Sequence, residues 1–109
     1  MRGHRARLAD ILERVDKILV HAPPLEPVGP DPSWTVDAVV RNLEVIGEAA
    51  RELSPSLRKK YPTVPWRAMI GFRILATHVY WQVEPERVWV IVRGLPELRK
   101  KLSRIHAPS

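Results

Sequence analysis

The chain has no cysteine, so disulfides and thiolate metal sites are excluded. It has one phenylalanine, and no segment alternates apolar and polar residues in the manner of a half-buried strand, which argues against a sheet fold. No uninterrupted apolar run reaches the roughly 18 to 20 residues that a membrane span needs. The opening MRGHRARLADILERVDKILV puts basic residues first, but Asp10, Glu13, Arg14 and Asp16 interrupt the apolar residues that follow. No continuous signal-peptide core forms, and a soluble, cytoplasmic protein without membrane contact is expected. The four histidines, His4, His21, His78 and His106, are too scattered to place two ligands on one helix turn, so no metal and no cofactor is expected.

What is abundant is arginine. Thirteen arginines and five lysines face 12 acidic residues, giving a net charge of +6. Such an excess suits an RNA or phosphate partner and equally suits a solvated surface, so geometry has to decide. The length of 109 residues fits one domain, 1–109, with a single apolar core.

Four amphipathic helical patterns run along the chain. The first, from about Arg5 to Val20, puts Leu8, Ile11, Leu12, Val15, Ile18 and Leu19 on one face. HAPPLEPVGPDPSW follows, with five prolines, and reads as a loop over about residues 22–33. The second pattern, about Ser33 to Leu53, opens on a candidate Ser33 cap and lines up Val36, Val39, Val40, Leu43, Ile46, Gly47 and Ala50. Gly47 within that stripe predicts a close approach of another helix. LSPSLRKKYPTVPW breaks the periodicity, and Pro65 suits the first position of a third helix. A fourth begins near Glu84 and Pro85 and carries Val88, Ile91, Val92, Leu95, Leu98 and Leu102, with a kink or restart expected at Gly94 and Pro96. These patterns predict an all-α fold, a small antiparallel bundle of four main helices.

The third helix holds GFRILATHVYW, residues 71–81, where Arg73, His78 and Tyr80 interrupt an apolar run. At about 100° per residue, Ala68, Phe72, Leu75, Ala76, Val79 and Val83 share an arc of about 100° that could serve as the core stripe. Arg73 and Tyr80 then lie about 20° apart on one shoulder of that stripe, and His78 lies on the other, about 140° from Arg73. The remaining face, with Trp66, Ile70, Thr77 and Trp81, is too apolar for water and predicts burial against a second copy. Two-fold symmetry would then gather two sets of Arg73 and His78 around one cleft.

Arg73, ILAT, His78, Val79 and Tyr80 resemble the hallmark of the HepT toxin family in the HEPN superfamily of helical ribonucleases: Arg, four to six residues, His, any residue, Tyr. RLADILERVDKI, DAVVRNLEVIGEAARELSP, VPWRAMIGFR and VEPERVWVIVRGLPELRKKL are similar to the family in the same order. The resemblance implies a HEPN-like helical homodimer, dimerising through the motif-bearing helix, with an RNA cleft between protomers. It implies RNA cleavage without a metal and a cognate minimal nucleotidyltransferase antitoxin that adds AMP to the motif tyrosine. Carried over residue by residue, Arg73 and His78 become the catalytic pair and Tyr80 the modification site.

Two departures stand out. The position after the motif arginine, often polar in the family, is Ile74, and the proline-rich segment between the first two patterns is unusual. Ile74 favours an alternative reading, a non-catalytic helical subunit that presents substrate or nucleotide to a partner nucleotidyltransferase. A scaffold dimer is a third reading, favoured only if Arg73 and His78 are buried in pairs with acidic residues. Trp66, Trp81 and Trp89 could stack on bases but fit core or interface better. Arg58, Lys59, Lys60, Arg99, Lys100, Lys101 and Arg104 could follow a phosphate backbone or simply solvate helix ends. Asp37 and Arg41 read as a surface ion pair.

Overall fold

The computed structural model describes the backbone of residues 3–21, 32–82 and 85–106, and the side chains of residues 3–20, 37–74 and 88–105. The described residues are mostly helical and contain no strand. Five helices follow in order: α1 (His4–His21), α2 (Pro32–Arg51), α3 (Pro55–Lys60), α4 (Trp66–Gln82) and α5 (Pro85–His106). Among these no helix is long and apolar enough to cross a membrane. Most of the proline-rich loop lies outside the described residues.

Three of the four expected stripes are buried as the periodicity requires. Leu8, Ile11, Val15 and Ile18 of α1, Val39, Val40, Leu43, Ile46 and Ala50 of α2, and Val88, Val92, Leu95, Leu98 and Leu102 of α5 join one apolar cluster. Each fully buried aliphatic side chain contributes about 1.5–3 kcal/mol through removal from water. Helix α2 is central: it packs against α1, α4 and α5, while α1 also packs against α5. Arg7 reaches Glu52 at 3.7 Å and Arg14 donates to the Asn42 side-chain oxygen at 3.1 Å, so rising numbers on α1 meet falling numbers on α2. Those two helices are antiparallel.

Three local readings change. LSPSLRKK is not merely a break but contains α3, whose first turn is capped by Ser54: its hydroxyl accepts from Leu57 N at 3.2 Å, and Pro55 opens the helix. Helix α2 starts at Pro32, so Ser33 lies inside it rather than capping it. Helix α5 runs through Pro96 as one helix, so of the kink or restart expected there the restart does not occur. On the surface, Arg41 pairs with Glu44 at 3.8 Å rather than with Asp37.

Candidate functional site

The motif lies on α4, whose described first turns meet the core at Met69 and Trp66 rather than at Ala68; Phe72 packs against the core, and the side chains of Leu75, Ala76, Val79 and Val83 of the expected stripe lie outside the described residues. Met69 is fully buried and Trp66 nearly so, whereas Ala68 is exposed and Phe72 only half-buried. On the helix wheel Met69 and Trp66 are about 60° apart and Arg73 falls between them. The inward arc is therefore rotated toward the arginine, and Arg73 does not sit on the shoulder of an outward face. Trp66 is a core residue of its own chain, not part of a surface awaiting a partner. Its indole Nε1–H donates to the Tyr61 carbonyl at 3.0 Å, which satisfies the one polar atom that burial would otherwise strand. Trp89 is likewise buried in the core.

The entry of the chain into α4 is set by a compact turn. Tyr61 closes α3, its carbonyl also accepts from Val64 N at 3.2 Å, and Val64 is buried. The Pro65 carbonyl accepts from Met69 N at 3.0 Å, so the proline stands just ahead of α4, within a residue of its expected place.

Arg73 is half-buried at the seam between α2 and α4. Its Nε is buried without a hydrogen-bond partner, as is that of Arg58 on α3. No carboxylate among the described residues pairs with Arg73. Ile74, the next residue, is 48% exposed. His78 and Tyr80 lie on the same continuous helix, five and seven residues beyond Arg73, but their side chains fall outside the described residues, as does that of Trp81. A helical rise of 1.5 Å per residue puts the His78 backbone about 7.5 Å along the axis from Arg73.

Several other arginines have partners. Arg99 Nε donates to Asp16 Oδ1 and its NH2 group lies 3.4 Å from Oδ2, linking α5 to α1. That hydrogen bond, aided by the carboxylate charge, raises the Arg99 pKa. Lys100 reaches Glu97 at 4.0 Å, whereas Lys59, Lys60 and Arg104 are exposed. A groove of about 440 Å³ between α1 and α2, flanked by Arg7, Arg14, Glu48 and Glu52, does not include Arg73. Its two arginines are engaged by Glu52 and Asn42. Among the described residues no group of three or more histidines or acidic residues is placed to hold a metal ion.

The family described as "Ribonuclease HepT-like" matches residues 31–105, more than half of the chain and the whole of α4. The chain belongs to the HepT-like ribonuclease family. A relative from Methanocaldococcus jannaschii, "Putative RNase MJ1216", is 35% identical over 95% of this chain and 88% of its own length. A second from the same organism, "Putative RNase MJ1380", is 39% identical over 60% of this chain, and the match spans 61% of that relative's length. "Probable ribonuclease HepT" of Thermococcus cleftensis is 33% identical over 62% of this chain and 63% of its own. No solved structure matches. The HepT-like match includes α2 and α4, the two helices that meet at Arg73. Sequence reasoning found Gly47 as a point of close approach but missed that the residue it approaches is the motif arginine.

Proposed function

We propose that this HepT-like chain is an endoribonuclease of the toxin type, with Arg73 and His78 as its catalytic pair. The observation that carries the reading is an arginine on the motif helix, half-buried and without a carboxylate partner among the described residues. A structural arginine in that position would ordinarily be paired, because an unpaired buried charge is costly. This argues against the scaffold reading, which required Arg73 to be spent on an acidic neighbour.

RNA carries its own nucleophile. The 2'-hydroxyl attacks the adjacent phosphorus, the bond to the 5'-oxygen breaks, and a 2',3'-cyclic phosphate and a 5'-hydroxyl result. An imidazole titrates near neutrality and takes the 2'-hydroxyl proton, a contribution of about 10² to 10⁴ in rate, and the departing 5'-oxygen picks up a proton from the resulting imidazolium or from water. A guanidinium keeps its charge and holds two phosphate oxygens as negative charge builds on them. Neither step calls for a metal. The working unit is a homodimer through α4, with exposed Ile74 beside Arg73 as the apolar residue that a second copy would cover. A cognate minimal nucleotidyltransferase silences the toxin: the Tyr80 hydroxyl attacks the α-phosphorus of ATP, pyrophosphate leaves, and the added phosphodiester competes with RNA for Arg73.

The test is cleavage of total RNA in the presence of chelator by wild type, Arg73→Ala and His78→Ala. The wild type is expected to leave cyclic phosphate ends, and both variants to lose activity by about 10²-fold or more while keeping their helical circular dichroism. Activity that disappears with chelator, or that survives in both variants, overturns the mechanism. Ile74, standing where the family often has a polar residue, supports a second reading, the non-catalytic subunit that presents substrate or nucleotide to its nucleotidyltransferase. Under that reading Arg73→Ala weakens binding and no preparation cleaves.

A further inference from the structure

We propose that Gly47 is a positioning residue for Arg73: its missing side chain lets α2 lie against the α4 backbone at the arginine itself and fixes the point from which the guanidinium extends. The inference rests on the reading of Arg73 as catalytic. A Cβ built on Gly47 would stand 2.7 Å from Arg73 N, 2.9 Å from the Met69 carbonyl oxygen and 3.3 Å from Arg73 Cβ. The first two are backbone atoms of a regular helix, so no change of rotamer relieves the overlap. Ordinary contact begins near 3.4 Å, and the two helices would have to part by more than half an ångström.

Glycine inside a helix is unfavourable relative to alanine, so its place in α2 calls for a reason. At Gly3, Gly71 and Gly94 an added Cβ meets nothing within 4 Å; among these glycines only Gly47 is held to hydrogen by its surroundings. The atoms that hold it there belong to Met69 and Arg73. Arg73 has a buried Nε with no hydrogen-bond partner and no described carboxylate to anchor its far end. Its placement therefore depends on its root, and its root is set by the contact with Gly47. A shift on the order of 1 Å in a catalytic group can cost about 10²-fold in rate.

The experiment compares wild type, Gly47→Ala, Arg73→Ala, the double variant and Gly94→Ala, the last as an alanine placed in open space. Single-turnover cleavage of an RNA oligonucleotide, its binding, and solvent exchange of the Arg73 Nε–H by NMR are measured. Gly47→Ala is expected to cleave about 10- to 100-fold more slowly with oligonucleotide affinity within about threefold. The Arg73 Nε–H should exchange at least about tenfold faster than in the wild type. Adding Gly47→Ala to Arg73→Ala should slow cleavage no further, because the glycine acts through the arginine. Gly94→Ala should match the wild type in all three. Should Gly47→Ala fail to fold, the wild type still decides, since the inference requires slow Nε–H exchange and an NOE from Gly47 Hα to the Arg73 amide. Wild-type-like cleavage and Nε–H protection in Gly47→Ala overturn the inference and leave the ribonuclease reading standing. A wild type that does not cleave overturns that reading instead, and the exchange data then show whether Gly47 holds Arg73.

Discussion

The α1–α5 and α2–α4 seams use arginine in opposite ways. Where α1 meets α5, Arg99 is bonded to Asp16 through two of its nitrogens, with both side chains about half exposed. Where α2 meets α4, Arg73 is drawn into the seam with its Nε unsatisfied, and the helices close on Gly47 instead of on a charge pair. The first arrangement joins two elements and leaves nothing over. The second keeps a guanidinium in a partly desolvated place, where attraction to any anion is stronger than it would be in water. A residue type counted thirteen times in the composition thus serves two ends, distinguished by what lies within reach of each copy.

Exchanging the two arginines for alanine gives the widest expected separation. Arg73→Ala should reduce RNA cleavage by about 10²-fold or more, whereas Arg99→Ala should leave the single-turnover rate within about twofold, since its charge is already matched by Asp16. Comparable losses in the two variants would remove the distinction. Next in size is stability at the close seam. Met69, fully buried beneath the motif, should cost about 2–5 kcal/mol on truncation to alanine, read from the urea midpoint. A loss below about 1 kcal/mol would mean that α4 is not anchored there. The smallest effect concerns the exposed pair. Arg99→Ala should lower Tm by a few degrees at most, with the difference shrinking as salt rises. A raised arginine pKa contributes stability that is fully present below its ordinary value and is lost only as pH rises through the shifted one. That window lies in strong alkali, so the Tm difference should be flat from about pH 6 to 9.

Legibility differed between these regions for a physical reason. In α1, α2 and α5 charged residues occupy most of the outer face, so the apolar stripe has one orientation, and Leu8, Ile11, Leu43, Ile46, Val92 and Leu102 are buried as periodicity requires. In α4 apolar residues surround most of the circumference, and a wheel alone cannot choose among arcs. The choice falls to partners: Gly47 across the seam and the Tyr61 carbonyl that receives the Trp66 indole. Of the described members of the expected stripe, Ala68 is exposed where burial was predicted, because the wheel ignored both partners. Helix α3 was legible in hindsight, since Ser54 followed by Pro55 is a helix-opening pair, but six residues without a buried side chain leave no periodic signal. Pro96 shows the reverse: local chemistry that favours a break gives way to Leu95, Leu98 and Leu102, which bury on both sides of it. The motif was readable as residue types in order. That its arginine lies against the central helix was not.

The position of α2 also sets a hierarchy in time. A helix that packs on α1, α4 and α5 cannot lose its own hydrogen bonds while its neighbours keep theirs, so its amides exchange with solvent only when the whole molecule opens. Helix α3, one cap and six residues with no fully buried side chain, has less to hold it and should open more often. The turn that feeds α4 thus joins a loosely held stretch to the helix that carries the arginine, while the surface against which that arginine is set belongs to the most widely packed of the described helices.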